Sequence, residues 1–593
     1  MRALLFLLII SVMASCNTNT NSNTNAQKDN TALNQLFDNY YEKRLQLFPL
    51  EATQNGDIRY NSQLPVDFTD DYRDTLKQFF SKYLDSLKTY QRASLNDNDK
   101  ISYDIFKTEM EVRLEDFKFP DNYMPFNQFA GLPLSFGQLG SGSGNQPFKT
   151  KKDYSDWQTR VSGFSSWADS AIVYFRKGIN SGIVLPKVLV LKMIPQMRAM
   201  ETTDVTKSIF YGPITNLPDS FSAVDKESLK GIYSRMIMDQ VIPAYKRLGD
   251  FLENEYLPKA RSTAGFSYLP GGKERYEYLV REWTTTSKTG DEIYNLGLQE
   301  VSRIHTEMEK IKTQTGFTGD LNSFFEFMKT DKRFTPYKTP EDVLNAFRDI
   351  QKRIDPNLKK MFNRTPKTKF EIRQTEAFRA ASASIEYQQG SEDGTRPGIF
   401  YVPIMDATAF NTTSGMESTF LHEAVPGHHY QVSLQQENSD LPKFRRFAWY
   451  GAYGEGWALY CESLGKELGL FTDPYQHMGA LGDEILRAIR LVVDVGLHEK
   501  NWSREQAIKY MMDNESINEH DATSEIERYM AIPAQALSYK VGAIKLRELR
   551  ARYEKELGNK FNLAMFHDEL LKDGCMPLDV LEQKMDAWAA RMK

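Results

Sequence analysis

The stretch LHEAVPGHHY, residues 421–430, contains three of the eight histidines of this 593-residue chain. His422 is followed directly by Glu423, and the adjacent pair His428 and His429 comes six and seven positions after His422. In the common zinc motif H-E-x-x-H, histidines four residues apart share one face of a helix. An unbroken helix would turn His428 about 240° away from His422 and carry His429 roughly 10 Å along the axis. The spacing therefore does not fit a metal site on one regular helix.

Pro426 and Gly427 lie between these histidines. Proline removes a helical hydrogen bond and clashes with the preceding turn, and glycine adopts backbone conformations that other residues avoid. We therefore expect the helix to kink or bulge here, which would allow His422 to meet either His428 or His429.

A second stretch, YGEGWALY at residues 453–460, supplies a carboxylate. It places Glu455 between two glycines near the start of a predicted helix, after a separation of 27 positions from His428. Catalytic zinc typically takes three protein ligands, often two histidines and one glutamate, and keeps one position for water. The two stretches together predict a zinc site formed by His422, one of the two later histidines and Glu455.

Most of the chain has helical periodicity, with apolar residues three and four positions apart. A Leu-Pro-Gly-Gly turn at residues 269–272 marks a joint in this pattern. We predict an amino-terminal helical lobe (residues 31–265) and a carboxy-terminal catalytic lobe that contains the metal site (residues 266–593). The chain shows no internal repeat, which argues against a helical solenoid.

One short segment has the composition of a β-strand. Residues 399–402 are β-rich, follow a turn and end at Pro403. Because proline is tolerated on an edge strand, we predict a small β element with an open edge beside the metal helix. This edge would either bind an extended peptide through main-chain hydrogen bonds or belong to a short hairpin without a ligand.

The composition is that of a globular protein, with 41% hydrophobic and 26% charged residues. A net charge of only −5 gives no reason to expect nucleic acid or an anionic membrane surface as a partner. We expect a small molecule or a peptide instead. Beyond residue 16 only Cys461 and Cys575 remain, so histidines and carboxylates rather than thiolates would hold a metal.

The amino terminus resembles a bacterial lipoprotein signal. A short basic start and an apolar stretch lead to Met13-Ala14-Ser15-Cys16, similar to a lipobox, which implies that residues 1–15 are removed and Cys16 carries the lipid. Residues 16–30 form an Asn/Thr-rich tether that cannot pack a core. The alternatives are a plain secretory signal or a short buried helix. We expect a protein anchored in the cell envelope by its lipid, on the periplasmic side or exposed at the surface.

HEAVPGH followed by GEGWALY resembles the bacterial family DUF885, which is placed among the zincin-like metallopeptidases. GEGWALY is also similar to the segment N-E-G-F-A of zinc aminopeptidases, whose glutamate is the third zinc ligand. The resemblance implies a mainly α, two-lobed, zincin-like fold, a Zn²⁺ cofactor and His428 as the second ligand. Similar stretches at residues 486–502 and 528–542 extend the likeness over most of the mature chain.

The resemblance also implies roles for single residues. Glu423 is the expected general base, which takes a proton from water and passes it to the leaving amine. Tyr539 is the first candidate for the donor that stabilises an oxyanion, ahead of His498 and Arg490. Each has a structural alternative, namely an exposed carboxylate for Glu423 and a buried core tyrosine for Tyr539.

Two further carboxylates have open roles. Glu462 lies seven positions after Glu455 and either orients a ligand histidine or is solvated. Asp494 precedes His498 by four positions, so we expect these two side chains to pair.

We therefore expect a zinc-dependent peptidase that hydrolyses oligopeptides in the cell envelope. The alternatives are a helical lipoprotein that binds peptides or glycans without catalysis and a metallohydrolase of non-peptide amides. The sequence does not distinguish an aminopeptidase, a carboxypeptidase and an endopeptidase, and it does not predict the oligomeric state.

Overall fold

A computed structural model describes residues 30–375, 380, 383–391 and 396–593. The predicted signal peptide (residues 1–15), Cys16 and all of the tether except residue 30 lie outside the described residues. No helix in the described ranges is long and apolar enough to span a bilayer.

The amino-terminal half is helical. Its α-helices are α1 (Thr31–Leu47), α2 (Pro49–Gln54), α3 (Asp70–Lys88), α4 (Asp97–Asp116), α5 (Leu132–Gly140), α6 (Lys151–Ser181), α7 (Lys187–Arg198), α8 (Gly212–Thr215), α9 (Ala223–Met236) and α10 (Ile242–Phe251). Short π-helical segments, Ile237–Val241 and Leu252–Tyr256, continue α9 and α10.

The carboxy-terminal half adds three strands to further helices. Its elements are α11 (Gly272–Thr284), α12 (Gly290–Gln314), α13 (Leu321–Thr330), α14 (Pro340–Met361), β1 (Phe370–Gln374), β2 (Glu386–Gln388), β3 (Gly398–Val402), α15 (Met416–Glu423), α16 (His428–Glu437), α17 (Lys443–Arg446), α18 (Gly451–Ser463), α19 (Pro474–His498), α20 (Arg504–Asn514), α21 (Glu519–Ala531), α22 (Leu537–Leu557), α23 (Leu563–Leu571) and α24 (Leu578–Met592). The prediction of a mainly α protein with a small β element is confirmed.

Local sequence explains where several helices begin. The side chain of Asn96 accepts a hydrogen bond from the N–H of Asp99 and caps α4. Reciprocal capping boxes start α6, α12, α14 and α20, each with Thr or Ser at the cap and an acid or Gln three residues later. These contacts satisfy backbone donors that have no partner within the helix.

The sheet has the order β1-β3-β2, with β3 parallel to β1 and antiparallel to β2. The prediction that residues 399–402 form an edge strand is therefore wrong, because β3 is buried and paired on both sides. Pro403 follows the last paired residue, where its missing N–H breaks no hydrogen bond of the ladder. Phe400 packs on Phe420 of α15, with ring centroids 5.8 Å apart, and so joins the sheet to the metal helix.

Buried apolar side chains show how the halves are joined. One core contains α1, α3 and α4 together with α14, the sheet, α15, α18 and α22 to α24. Phe37 of α1, for example, lies 4.8 Å from Phe444 of α17 between ring centroids. A second core is formed within residues 126–256. The boundary at residue 265 stays a prediction, but the first long helices share their core with the carboxy-terminal half.

Candidate metal centre

The helix that carries His422 breaks before it reaches His428. α15 ends at Glu423 and α16 begins at His428, so the expected interruption at Pro426 and Gly427 is a complete break. A Cβ atom on Gly427 would lie 1.8 Å from the carbonyl oxygen of His422, so only glycine permits this close turn. Trp457 Nε1 donates a hydrogen bond to the Pro426 carbonyl at 2.9 Å and holds the turn against α18.

The break brings His422 and His428 together over Glu455. Glu455 Oε2 lies 3.5 Å from His422 Nε2 and 3.4 Å from His428 Nε2. The two imidazole rings are nearly perpendicular, with centroids 4.8 Å apart. A tetrahedral zinc ion with bonds of about 2.0–2.1 Å sets its ligand atoms about 3.4 Å apart. The spacing of the carboxylate oxygen from both nitrogens therefore fits such an ion.

The charge around His422 also fits a bound cation. Among the described residues, no Lys or Arg lies within 4.0 Å of the carboxylates of Glu423, Glu455 and Glu462. Burial opposes a charged His422, but hydrogen bonds to Glu455 and Glu462 outweigh it and raise the pKa of His422 well above its usual value. Burial is likewise outweighed at Glu455, where both histidines lower the pKa of the carboxyl. A divalent cation would supply the positive charge that this cluster attracts.

Glu462 lies behind His422, on the side away from Glu455. Its Oε1 is 2.7 Å from His422 Nδ1, and the side chain is buried. A carboxylate on Nδ1 protonates that nitrogen and leaves the lone pair of Nε2 free for a metal. Of the two roles considered for Glu462, the geometry favours orienting a ligand histidine. The Nδ1 atom of His428 is buried and has no hydrogen-bond partner in the described chain.

Glu423 borders the cluster at a greater distance. Its Oε1 lies 4.0 Å from His422 Nε2, and its Oε2 accepts a hydrogen bond from the Tyr387 backbone N–H at 3.0 Å. Ligand atoms of His422, Glu423 and His428 lie within 4.8 Å of one another, so these three residues form an alternative ligand set. We favour Glu455 as the ligand because one of its oxygens is close to both imidazoles.

His429 lies outside this cluster. Its Nδ1 is 3.1 Å from the Tyr387 hydroxyl, and its ring packs 4.9 Å from that of Phe370. Burial lowers the pKa of His429 to about 4, so the ring is neutral near pH 7. Of the two histidines that the sequence left open, His428 is the one beside Glu455.

Tyr539, the candidate oxyanion donor, is half-buried near the start of α22. Its ring faces Arg490, with the guanidinium carbon 4.9 Å from the ring centroid. Arg490 also donates hydrogen bonds to Tyr529 and Glu525. No hydrogen bond of the described chain joins Tyr539 to the His/Glu cluster, and its catalytic role stays a prediction.

The expected pair of Asp494 and His498 is wrong. His498 Nδ1 accepts a hydrogen bond from the Phe266 N–H, and its Nε2 donates to the Tyr529 carbonyl, so both ring nitrogens are occupied. Asp494 instead accepts from the Tyr276 hydroxyl at 2.7 Å and from the Ala534 N–H at 3.0 Å. Both side chains are buried and join separate elements of the fold.

Two residues beside the cluster were not predicted. Tyr387 of β2 contacts Glu423 through its backbone and His429 through its hydroxyl. Trp449 packs on His428 with centroids 5.7 Å apart and keeps 49% of its surface exposed. Neither lies in a motif, so only the tertiary fold reveals these contacts.

The fold and this cluster define a mainly helical protein with a candidate metal centre at a break between two helices. The chain belongs to the family described as "Bacterial protein of unknown function (DUF885)", which matches residues 49–585. A search of curated proteins finds no match.

Two solved structures resemble the chain over almost their full lengths. A structure titled "putative lipoprotein" from Colwellia psychrerythraea is 28% identical, with a TM-score of 0.87, and the match covers 94% of this chain and 99% of that one. A second, titled a "putative lipoprotein of unknown function", from Shewanella oneidensis, is 19% identical with a TM-score of 0.72, covering 94% and 100%. The second likeness concerns the fold alone.

Proposed function

We propose that the protein is a zinc-dependent peptidase with a two-lobed, zincin-like fold. His422, His428 and Glu455 would hold the metal, and Glu423 would act as the general base. The observation that carries the proposal is the position of Glu455 Oε2, 3.5 and 3.4 Å from the two imidazole nitrogens. Glu462 supports it because a buried carboxylate on the far nitrogen of a ligand histidine is typical of protein zinc sites.

Zinc, when bound, lowers the pKa of a coordinated water and polarises a carbonyl oxygen. Glu423 is close enough to the histidines to take a proton from water and hand it to the leaving amine. The hydrogen bond from the Tyr387 N–H holds one oxygen of this carboxylate, which leaves the other for proton transfer. Tyr539 is the proposed donor to the developing oxyanion.

A peptide substrate is supported by the position of β2. This strand lies at the edge of the sheet, and the N–H of its central residue, Tyr387, points to Glu423. An extended peptide laid beside such an edge gains main-chain hydrogen bonds. The scissile bond would then lie near the general base.

We further propose that Cys16 is lipidated and anchors the protein in the cell envelope. The lipobox-like sequence supports this, as do the titles of the two similar structures. Metabolic labelling with palmitate should mark the wild-type protein and not the Cys16→Ala variant. Equal labelling of both would exclude lipidation at this residue.

The test of the metal site is zinc content, measured by plasma mass spectrometry on full-length protein purified in detergent without chelator. We expect about one zinc per chain, as for a single catalytic site, and its loss in His422→Ala and Glu455→Gln. Glu467→Gln, on the exposed segment after α18, is the matched control and should retain zinc. A wild-type protein that takes up no added zinc would contradict the proposal and favour the non-catalytic binding lipoprotein.

The test of peptidase activity is cleavage of a peptide library by the zinc-loaded protein. The isosteric change Glu423→Gln should keep the zinc and lose at least a hundredfold in rate, the usual contribution of a general base. Zinc binding without cleavage of any peptide would favour an amidase acting on other substrates. The cleavage positions would distinguish an exopeptidase from an endopeptidase.

A further inference from the structure

A cavity of about 930 Å³ opens between α1, α3 and α4 on one side and the segment of residues 121–138 on the other. Trp167 of α6 closes it at one end. Its lining contains none of the four residues of the proposed active site. The volume is in the range of about 300–1,000 Å³ that is usual for small-ligand sites.

Most charged groups in the cavity wall are neutralised within the protein. Arg44 donates to Glu51 at 2.9 Å, and Arg73 donates to the Phe119 carbonyl at 2.9 Å. Arg275, from the neighbouring α11, forms ion pairs with Asp116 and Asp121. These groups offer little to a ligand because each already has a partner.

Arg113 is the exception among the cations of the wall. Its one ion-pair contact within the described chain is Glu282 at 3.6 Å, and it makes no hydrogen bond to another described residue. Its side chain keeps 45% of its accessible surface, although it lies in the wall of a cavity. A guanidinium in this position has hydrogen-bond donors available for a carboxylate.

Asp67 is the corresponding exception among the acids of the wall. In the described chain no Lys or Arg lies within 4.0 Å of its carboxylate, and its one hydrogen bond is to its own backbone N–H. Burial raises the pKa of this carboxyl, as expected for an acid in a wall without a cation beside it. Asp67 and Arg113 lie on different elements and do not pair with each other.

Aromatic rings line the space between these two charges. Phe48, Phe68, Phe117 and Trp167 face the cavity, and Phe80 lies beneath them. Such surfaces bury apolar side chains at about 25 cal/mol per Å². The cavity thus combines one available cation, one available anion and an apolar wall.

We propose that this cavity binds a free, zwitterionic short peptide, with the ligand carboxylate on Arg113 and the ligand ammonium group on Asp67. A peptide with apolar side chains matches both the separated charges and the aromatic wall. This site is distinct from the proposed active site and does not depend on metal.

The test is isothermal titration calorimetry with the tripeptide Phe-Ala-Phe. Full-length Glu423→Gln protein in detergent is used after chelator treatment, so that neither cleavage nor metal binding of the peptide contributes. We expect binding of the free tripeptide, and at least tenfold weaker binding of its amidated and acetylated forms, each of which lacks one charge-assisted contact.

Single changes in the cavity assign each end of the peptide. Arg113→Gln should weaken binding of the free tripeptide about tenfold and abolish the difference between free and amidated forms. Asp67→Asn should do the same for free and acetylated forms. The matched controls Arg235→Gln and Asp219→Asn change exposed charges outside the cavity and should leave both differences intact.

Thermal unfolding of each variant checks that it is folded before titration. The proposal is overturned if the free tripeptide does not bind to the folded protein. It is also overturned if blocking either end has the same effect in the cavity variants as in their parent. Because the metal is absent throughout, these outcomes are separate from those of the zinc and cleavage tests.

Discussion

Glu462 and His422 form the shortest side-chain contact of the candidate centre, at 2.7 Å. The carboxylate directs the proton of the imidazole to Nδ1, and Nε2 then faces Glu455 with its lone pair. Glu462 touches neither His428 nor Glu455 in the described hydrogen bonds, so it acts on a metal through His422 alone. It is a positioning residue rather than a catalytic one.

Glu462→Gln should weaken zinc binding by about 10–100-fold, the usual effect of losing a carboxylate behind a ligand histidine. The amide keeps the shape and can accept the hydrogen bond, but it carries no charge. Competition with a chromogenic zinc chelator measures the affinity, with Glu467→Gln as control. Unchanged affinity in Glu462→Gln would show that this carboxylate does not tune the ligand.

At the scale of elements, the crossing of α18 and α22 positions Glu455. A Cβ atom on Gly456 would lie 2.6 Å from the Cα of Gly542, so the two helices touch through their backbones. A Cβ atom on Gly542 would lie 1.8 Å from the carbonyl oxygen of Ala452. The backbone cannot yield without separating the helices, and Glu455 is next to the contact.

Gly542→Ala should destabilise the protein by about 1–3 kcal/mol, as other overpacked contacts do, and should also weaken zinc binding because α18 moves. Gly482→Ala is the matched control, since Gly482 lies within α19 and its Cβ would have open space around it. This control should gain up to about 1 kcal/mol from the better helix propensity of alanine. Chemical unfolding and zinc titration measure both effects. A Gly542→Ala protein as stable as the wild type would contradict the close crossing of these two helices.

At the scale of the whole molecule, Asp494 connects distant parts of the fold. Its carboxylate accepts from Tyr276 of α11 and from Ala534, which precedes α22. Burial raises its pKa from 3.8 to about 7. Between about pH 4 and pH 7 the folded state therefore binds a proton that the unfolded state releases. The contribution of this group to stability falls as pH rises through that range.

Asp494→Asn removes this proton uptake and keeps an oxygen for both donors, since both approach Oδ1. We expect the variant to exceed the wild type in unfolding free energy by up to about 4 kcal/mol at pH 8, at about 1.4 kcal/mol per pKa unit. Near pH 4 the two proteins should be similar. Guanidinium unfolding at both pH values measures the difference, which leaves out the other buried acids common to both proteins. A difference that does not grow with pH would contradict the raised pKa.

The sequence alone determined the mainly helical class, the break between His422 and His428, and the choice of Glu455 as the partner of His422. These depend on local rules, namely helical periodicity, the backbone limits of Pro426 and Gly427, and the ligand types that zinc prefers. Local chemistry acts over a few residues, and so it is visible in the order of residues.

The tertiary structure decided which later histidine meets Glu455, where β3 lies in the sheet and which partners Asp494 and His498 have. It also placed α1, α3 and α4 in the core of the carboxy-terminal half. Each of these depends on contacts between residues far apart in the chain. Packing selects such contacts from many that local patterns allow equally, because burial and hydrogen-bond satisfaction are properties of the whole fold.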